Sequence, residues 1–284
     1  MKVLILGASG MLGTYLCDLC ANEDYILCFP YDKNKSRLDF LKPQEVINEI
    51  DRIQPDIIIN CVAITSFEFC EKSPSEAEQV NAITPGIISN HCSERGIYFI
   101  HISTDHFYNN KNDYAHKEDD PIEILNCYAK TKFDAENYIL DNPNALILRT
   151  SIIGRSIRGT SFLDWVLNSI FNKKKIDLFD DAYTSFIHCK ELSILIHKLI
   201  KHKPYGLYNL ASQEVFSKAD FAIALAKELN IFLDYELKSI EVLNVKRANS
   251  CGLDSDKISS LLNIQLPSMN DTVKVSAGEY MKKT

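Results

Sequence analysis

Short, continuously apolar runs recur through the first half of the chain: VLIL (3–6), YILCF (25–29), DIIINCV (56–62), YFIHIS (98–103) and ALILRTS (145–151). Runs of this length, rich in branched and aromatic residues, read as strands. Between them apolar positions recur at helical spacing, predicting helices from Met11 to Ala21, Pro43 to Asp51, Pro74 to Glu94 and Leu125 to Leu140. Pro43 suits a first helical turn, where the missing N–H has no partner to lose. Strands that are apolar throughout, rather than alternating, belong to a sheet covered on both faces, and the intervening helices supply the crossovers of a parallel sheet. The expected fold class is therefore α/β, with a doubly wound parallel sheet.

After about residue 150 the pattern loosens. Helices are expected over 161–172, 189–201 and 217–229, a strand at GLYNLA (206–211), a short strand region within 230–250, and two terminal helices within 254–277, with Gly252 and Pro267 as punctuation. This predicts a first domain over residues 1–150 and a smaller lobe over 151–284, with the chain free to cross between them. No repeat, low-complexity tract or linker separates the two, so they are expected to pack together.

Composition narrows the function classes. Of 284 residues, 38 are acidic and 31 basic, a net charge of -7 with no long block of either sign. The basic stripe of a nucleic-acid binder is missing. No apolar run reaches the roughly 18 residues of a membrane span, and Met1 to Leu6 is too short for a signal peptide, so a cytoplasmic protein without a membrane partner is expected. Nine scattered cysteines do not suit a disulfide framework. Cys17 and Cys20 form a C-x-x-C pair, three positions apart, inside a helical apolar pattern, with no second ligand pair, and no metal site is expected.

The run VLILGASGMLG places Gly7-x-x-Gly10-x-x-Gly13 directly between the first strand and the first helix. Glycines there permit the tight turn and let the backbone approach a pyrophosphate, which sits on free amides at the positive helix terminus. This context points to a Rossmann-like, NAD(P)-binding first domain. Asp32 is placed to bind a ribose 2′-hydroxyl, as NAD requires, whereas Lys33, Lys35 and Arg37 are placed to neutralise the 2′-phosphate of NADP. The choice stays open, with a lean to NADP(H) over NAD(H).

Candidate chemistry is concentrated at Tyr128-x-x-x-Lys132. Spacing of i,i+4 puts both side chains on one helix face, continued by Glu136. A phenol with a pKa near 10 needs a neighbouring cation to serve as an acid or base at neutral pH, and Lys132 supplies it. The strand ending in HISTD delivers Ser103, Thr104 and Asp105 at a carboxyl edge, where open α/β sheets bind ligands, and Thr104 is positioned to share a substrate oxygen with Tyr128.

The glycine loop, Ser103-Thr104-Asp105 and Tyr128-x-x-x-Lys132 together resemble the extended short-chain dehydrogenase/reductases that act on nucleotide sugars. More narrowly, PDIIINCVAIT (55–65), VNAITPGIIS (80–89), LILRTS (146–151), GLYNLAS with SKADFA (206–222), Arg247-x-x-Ser250-x-x-Leu253-Asp254 and Leu266-Pro267 resemble the dTDP-4-dehydrorhamnose reductases over nearly the whole chain. The resemblance implies a catalytic set of Thr104, Tyr128 and Lys132. It implies cofactor contacts from Gly7, Gly10, Met11, Leu12, Gly13, Asp39, Cys61, Val62, Ala63, Thr65, Tyr128 and Lys132, and a smaller C-terminal substrate-binding lobe. The implied reaction moves a hydride from NADP(H) or NAD(H) to the sugar C4 while Tyr128 protonates the developing alkoxide, in surface-polysaccharide precursor synthesis.

Three segments depart from that pattern. His106-Phe107-Tyr108 follows Asp105 where Tyr-Val-Phe is usual, Ile152 stands where a Trp is usual, and Tyr183 to Ile187 replaces a Gly-x-Pro-Thr turn. All three are expected to line the sugar pocket. Substrate contacts are thus assigned to Thr104, Asp105, His106, Ile152 and Arg247, with Arg155 and Arg158 as further candidates for the diphosphate. Trp165, the only tryptophan, is expected to pack its helix against the core. Alternatives of the same fold are a nucleotide-sugar epimerase or dehydratase, although dehydratases of this kind carry an Asp-Glu pair where Asp105 is followed by His106. A non-catalytic NAD(P)-binding regulatory subunit is an alternative of another class. The expected partner is a nucleotide-diphosphate sugar, and the expected state is a monomer or homodimer.

Overall fold

The computed structural model describes residues 1–20, 26–28, 38–109 and 113–281. Strand β1 (Lys2–Leu6) leads through helix α1 (Met11–Cys20), β2 (Ile26–Cys28) and α2 (Pro43–Ile53) to β3 (Ile57–Asn60). Two short helices, α3 (Phe67–Lys72) and α4 (Pro74–Glu78), precede a π-helical turn (Gln79–Ile83), α5 (Thr84–Arg95), β4 (Tyr98–Ile102), α6 (Cys127–Ile139) and β5 (Ala145–Arg149). The second half runs β6 (Ile152–Ile153), α7 (Phe162–Phe171), β7 (Ile176–Phe179), β8 (Tyr183–Thr184), β9 (Ile187–His188), α8 (Cys189–His202) and β10 (Gly206–Asn209). It ends β11 (Phe216–Ser217), α9 (Lys218–Glu228), β12 (Tyr235–Lys238), β13 (Ser250–Cys251), α10 (Asp256–Leu262) and α11 (Met269–Met281).

Six strands form the main sheet in the order β10-β5-β4-β3-β1-β2, with β2, β1, β3, β4 and β5 paired in parallel. The chain reverses direction across the sheet at β1, so β1 and β3 are neighbours whose following loops diverge. That crevice outside their carboxyl ends is where open α/β sheets hold ligands. Both faces are covered, as continuous apolarity requires. Leu4, Leu6, Ile58, Phe99 and Ile147 join one core with Val46, Ile47 and Ile50 of α2, Ile88 and Cys92 of α5, and Ala135 and Ile139 of α6. The alternate positions Val3, Ile5, Ile57, Ile59, Ile100, Leu146 and Leu148 are equally buried.

The chain divides into two interleaved compact units. One comprises Met1–Thr104, Asn126–Arg149 and Ser193–Tyr208; the other comprises Asp105–Leu125, Thr150–Leu192 and Asn209–Thr284. The second unit has its own core, in which Leu163, Val166 and Ile170 of α7 meet Phe186, Phe216, and Phe221 and Leu225 of α9. Both α7 and α9 open on capping boxes, Ser161 with Asp164 and Ser217 with Asp220, which satisfy N-terminal amides.

Two local expectations need correction. The single helix expected from Pro74 to Glu94 is divided by the π turn. Pro85 carries no N–H for the carbonyl of residue 81, and its ring would crowd that carbonyl in a continuous α-helix; widening the turn relieves the conflict. Trp165 is 41% exposed and lies against Phe162 on the outside of α7, so it is not a core anchor.

Candidate active site

The glycine loop lies between β1 and α1 as its spacing requires. Gly7 adopts φ +84°, and a Cβ there would stand 3.0 Å from the Cys61 carbonyl carbon and 3.1 Å from Val62 N. The loop after β1 therefore runs directly against the segment after β3. Gly13 is more constrained: a Cβ would collide with the Gly7 carbonyl oxygen and stand 2.8 Å from Ala8 Cα. Gly10 N–H donates to Gly7 O at 2.8 Å, closing the turn ahead of Met11 and Leu12. A close-packed turn feeding a helix N-terminus fits the pyrophosphate of a dinucleotide.

Cys61, Val62, Ala63 and Thr65 lie on the segment after β3, and it is held from two sides. Asn60 Oδ1 accepts from Val62 N–H at 3.1 Å. Asn81, on the π turn, accepts from Ile64 N–H at 2.7 Å and donates to Ile64 O at 3.0 Å and to Thr131 Oγ1 of α6 at 3.1 Å. Asn81 of the π turn thus joins the segment after β3 to the Tyr/Lys helix. Burial raises the Cys61 thiol to about 12, so it is a neutral packing group. Asp39 closes a local turn, accepting from Leu41 N–H at 3.0 Å, with Lys42 3.8 Å away. Asp32, Lys33, Lys35 and Arg37 lie outside the described residues.

Helix α6 begins at Asn126, whose side chain accepts from Ala129 N–H. Its inward face carries Tyr128, Lys132 and Glu136, all buried. The Tyr128 ring sits edge-on to Phe67 at 5.0 Å, beside Cys70 and Ala77. Lys132 is 1% exposed; Nζ donates to Ile102 O at 2.7 Å and lies 3.1 Å from His101 Nε2. Glu136 accepts from Ser103 Oγ at 2.5 Å and holds Arg149 through both carboxylate oxygens. Two residues of a strand advance about 6.6 Å and four of a helix about 6 Å. Alternate β4 residues His101 and Ser103 therefore meet i,i+4 partners Lys132 and Glu136. Burial lowers Lys132 to about 8, with Glu136 opposing the shift. Thr104, buried at the end of the same strand, is two residues beyond the carbonyl that Lys132 grips.

The remaining substrate candidates lie in the second unit. Asp105 Oδ1 is 3.9 Å from His106 Nε2, and Cys251 Sγ is 3.8 Å from His106 Nδ1. Burial lowers His106 to about 4, against the pull of Asp105 and assisted by Lys218 and Arg247. It is a neutral hydrogen-bonding group at neutral pH. Asp105, His106 and Cys251 offer three potential metal-ligand atoms within 4.8 Å. The two cations whose fields reach this cluster suit an anion better than a divalent metal.

Several residues expected to line the sugar pocket are buried. Phe107 and Tyr108 are buried, and Tyr108 stacks on His116 at 4.0 Å and donates to Lys117 O. Within 183–187, Thr184 Oγ1 pairs with Ser151 Oγ at 2.7 Å and Phe186 belongs to the core. Ile152 is half-buried and pairs with Ile187 in β6 and β9. Arg155 is engaged by Asp164 at 3.1 Å. In contrast, Asn60, His101, Asn81, Lys218 and Cys251 escaped prediction. Asn60 and His101 carried a signal, being polar residues inside strands buried on both faces.

Residues 1–281 match the family described as RmlD substrate binding domain. The chain is 30% identical over 229 residues to the spore coat polysaccharide biosynthesis protein SpsK of Bacillus subtilis (strain 168), covering 80% of this chain and 79% of that one. It is 28% identical over 282 residues to dTDP-4-dehydrorhamnose reductase of Aggregatibacter actinomycetemcomitans, covering 93% and 94%. In structure it resembles the dTDP-4-dehydrorhamnose reductase of Bacillus anthracis str. Ames in complex with NADP, with a TM-score of 0.88 at 24% identity over 100% of this chain and 99% of that chain.

Proposed function

Because the chain belongs to the RmlD substrate binding domain family, we propose that it is a nicotinamide-dependent reductase of a nucleotide-linked sugar, acting on the 4-keto group of an NDP-4-keto-6-deoxyhexose. The observation that carries this reading is the grip of Lys132 on Ile102 O, which ties the Tyr128 helix to the strand end bearing Thr104. Relatives whose names denote dTDP-4-dehydrorhamnose reductases and a spore-coat polysaccharide protein support it. The glycine turn and residues 61–65 hold the dinucleotide. NADP(H) is the preferred form, in keeping with the NADP complex of the Bacillus anthracis relative.

The bound cofactor supplies the hydride that reduces C4. Tyr128 donates its phenolic proton to the C4 oxygen as negative charge develops there, and the Thr104 hydroxyl donates a hydrogen bond to the same oxygen. Lys132, as an ammonium, stabilises the phenolate left behind. A ketone thus gains one hydride and one proton to become an alcohol. In the second unit, Asp105, His106 and Arg247 are the residues assigned to substrate binding, and Lys218 and Arg247 supply positive charge beside His106.

Purified protein is mixed with NADPH or NADH and dTDP-, UDP- or GDP-4-keto-6-deoxyglucose, and reduced-nicotinamide absorbance is followed. Loss of absorbance with one of them, with a deoxyhexose product, is expected. No loss with any of them sinks the reading, and C4 inversion without net cofactor consumption replaces it with an epimerase.

A further inference from the structure

Asn60 and His101 are register partners on adjacent strands β3 and β4, so their side chains emerge side by side from one sheet face. Both are buried, and Asn60 Nδ2 lies 3.2 Å from His101 Nδ1. On the far side of the ring, His101 Nε2 lies 3.1 Å from Lys132 Nζ. A continuous chain therefore runs from Val62 N–H through Asn60 and His101 to Lys132.

The donors along this chain can be counted. Val62 N–H can only donate, so Asn60 Oδ1 must face it, and Nδ2 then presents N–H to His101. A neutral imidazole that accepts at Nδ1 carries its proton on Nε2, facing Lys132. That contact is satisfied when Lys132 is an amine, whose lone pair accepts while an N–H goes to Ile102 O. When Lys132 is an ammonium, Nε2 must be the acceptor. The ring proton then moves to Nδ1 and meets the Asn60 amide donor to donor. The amide cannot turn its one oxygen to both neighbours. A buried mismatch of this kind costs about 1–3 kcal/mol.

We propose that Asn60 and His101 form a positioning pair for Lys132, in which the Asn60 amide selects the ring nitrogen that carries the His101 proton and so sets how tightly Lys132 holds its own. The pair thereby sets the pH above which Lys132 loses the charge that stabilises the Tyr128 phenolate. The direction agrees with burial, which holds His101 well below the ordinary histidine range and lowers Lys132. Other titratable groups whose charge reaches Lys132 are Glu136 on α6 and Cys61 after β3. Cys17 of α1 acts on Cys61, and Arg149 of β5 is engaged by Glu136. The proposal rests on Lys132 being the partner of Tyr128.

Two measurements test it. Nitrogen-15 NMR of the histidine rings, with His101 assigned by His101→Gln, reads the tautomer directly. His101 is expected to stay uncharged through the ordinary histidine range and to exchange the Nδ1–H form for the Nε2–H form as pH rises through about 8. One unchanging tautomer, or a second ring proton gained in the ordinary range, overturns the proposal. In the isosteric Asn60→Asp variant, a carboxylate accepts from both Val62 N–H and His101 Nδ1–H. The Nδ1–H form is then locked, and the basic limb of kcat/KM moves up by about one pH unit or more. His101→Gln, which presents an amide oxygen to the ammonium, is expected to move the limb the same way. A limb unmoved in both variants, with cofactor binding retained, overturns the proposal. If instead Lys132→Gln keeps full turnover, the catalytic reading of Lys132 fails while the tautomer exchange still stands.

Discussion

Arg149 of β5 holds Glu136 of α6 with two prongs, Nη2 to Oε2 at 2.7 Å and Nε to Oε1 at 3.0 Å, and both side chains are shielded from water. The pair fixes the inner end of the face that carries Tyr128 and Lys132. Glu136→Ala leaves the guanidinium buried without its carboxylate and is expected to destabilise the fold by about 3–5 kcal/mol in urea unfolding. Glu136→Leu with Arg149→Met, which removes both charges, should recover most of that loss. Equal loss in the double variant would show that the pair is net stabilising beyond the avoidance of a stranded charge.

Tyr128 has a role separable from cofactor binding. Tyr128→Phe keeps the ring that packs on Phe67 and removes only the proton donor. Turnover is expected to fall by roughly 10²–10⁴-fold, the usual worth of a positioned general acid. Cofactor affinity, read by fluorescence of the reduced nicotinamide, should be almost unchanged. Retained turnover would remove Tyr128 from the mechanism.

The glycine turn should respond unequally to added methyl groups. At Gly13 a Cβ runs into the backbone of both Gly7 and Ala8, whereas at Gly10 its contact is the Gly7 oxygen at 3.1 Å. Gly13→Ala is therefore expected to abolish cofactor binding and cost about 1–3 kcal/mol in stability, as overpacking does. Gly10→Ala should weaken binding less. Titration calorimetry with NADPH and NADH on both variants checks the order.

Stability should depend on His106 in acid. Its folded value, about 4, lies below the ordinary 6.5. Between those values the unfolded chain binds a proton that the native state refuses, so stability rises with pH across this window and falls as pH drops through it, by up to roughly 1.4 kcal/mol per unit. His106→Gln should flatten that part of the unfolding profile. Lys132 acts the same way higher up. Its native value of about 8 lies below the ordinary 10.5, so its contribution also rises with pH, between those two values. An unchanged acid slope in His106→Gln would show that other groups carry the dependence.

Much of the α/β organisation was legible along the chain, because strand burial, helix spacing and turn chemistry are local. Five apolar runs became β1 to β5, Pro43 took the first turn of α2, and the glycine spacing produced the turn before α1. The i,i+4 spacing of Tyr128, Lys132 and Glu136 did place them on one buried face. Where the pattern misled, a local signal competed with packing: Pro85 divided the helix expected from 74 to 94.

The order of residues was sufficient to establish a parallel sheet, a close glycine turn ahead of α1 and a phenol with a lysine one helical turn away, since each depends on neighbours a few positions apart. It could not establish which groups surround that lysine. Asn60 and His101 are 41 residues apart, and only strand pairing sets them side by side against α6. Asn81 reaches Thr131 across 50 residues only because the π turn points it inward. Such contacts follow from register and packing, which no spacing along the chain encodes.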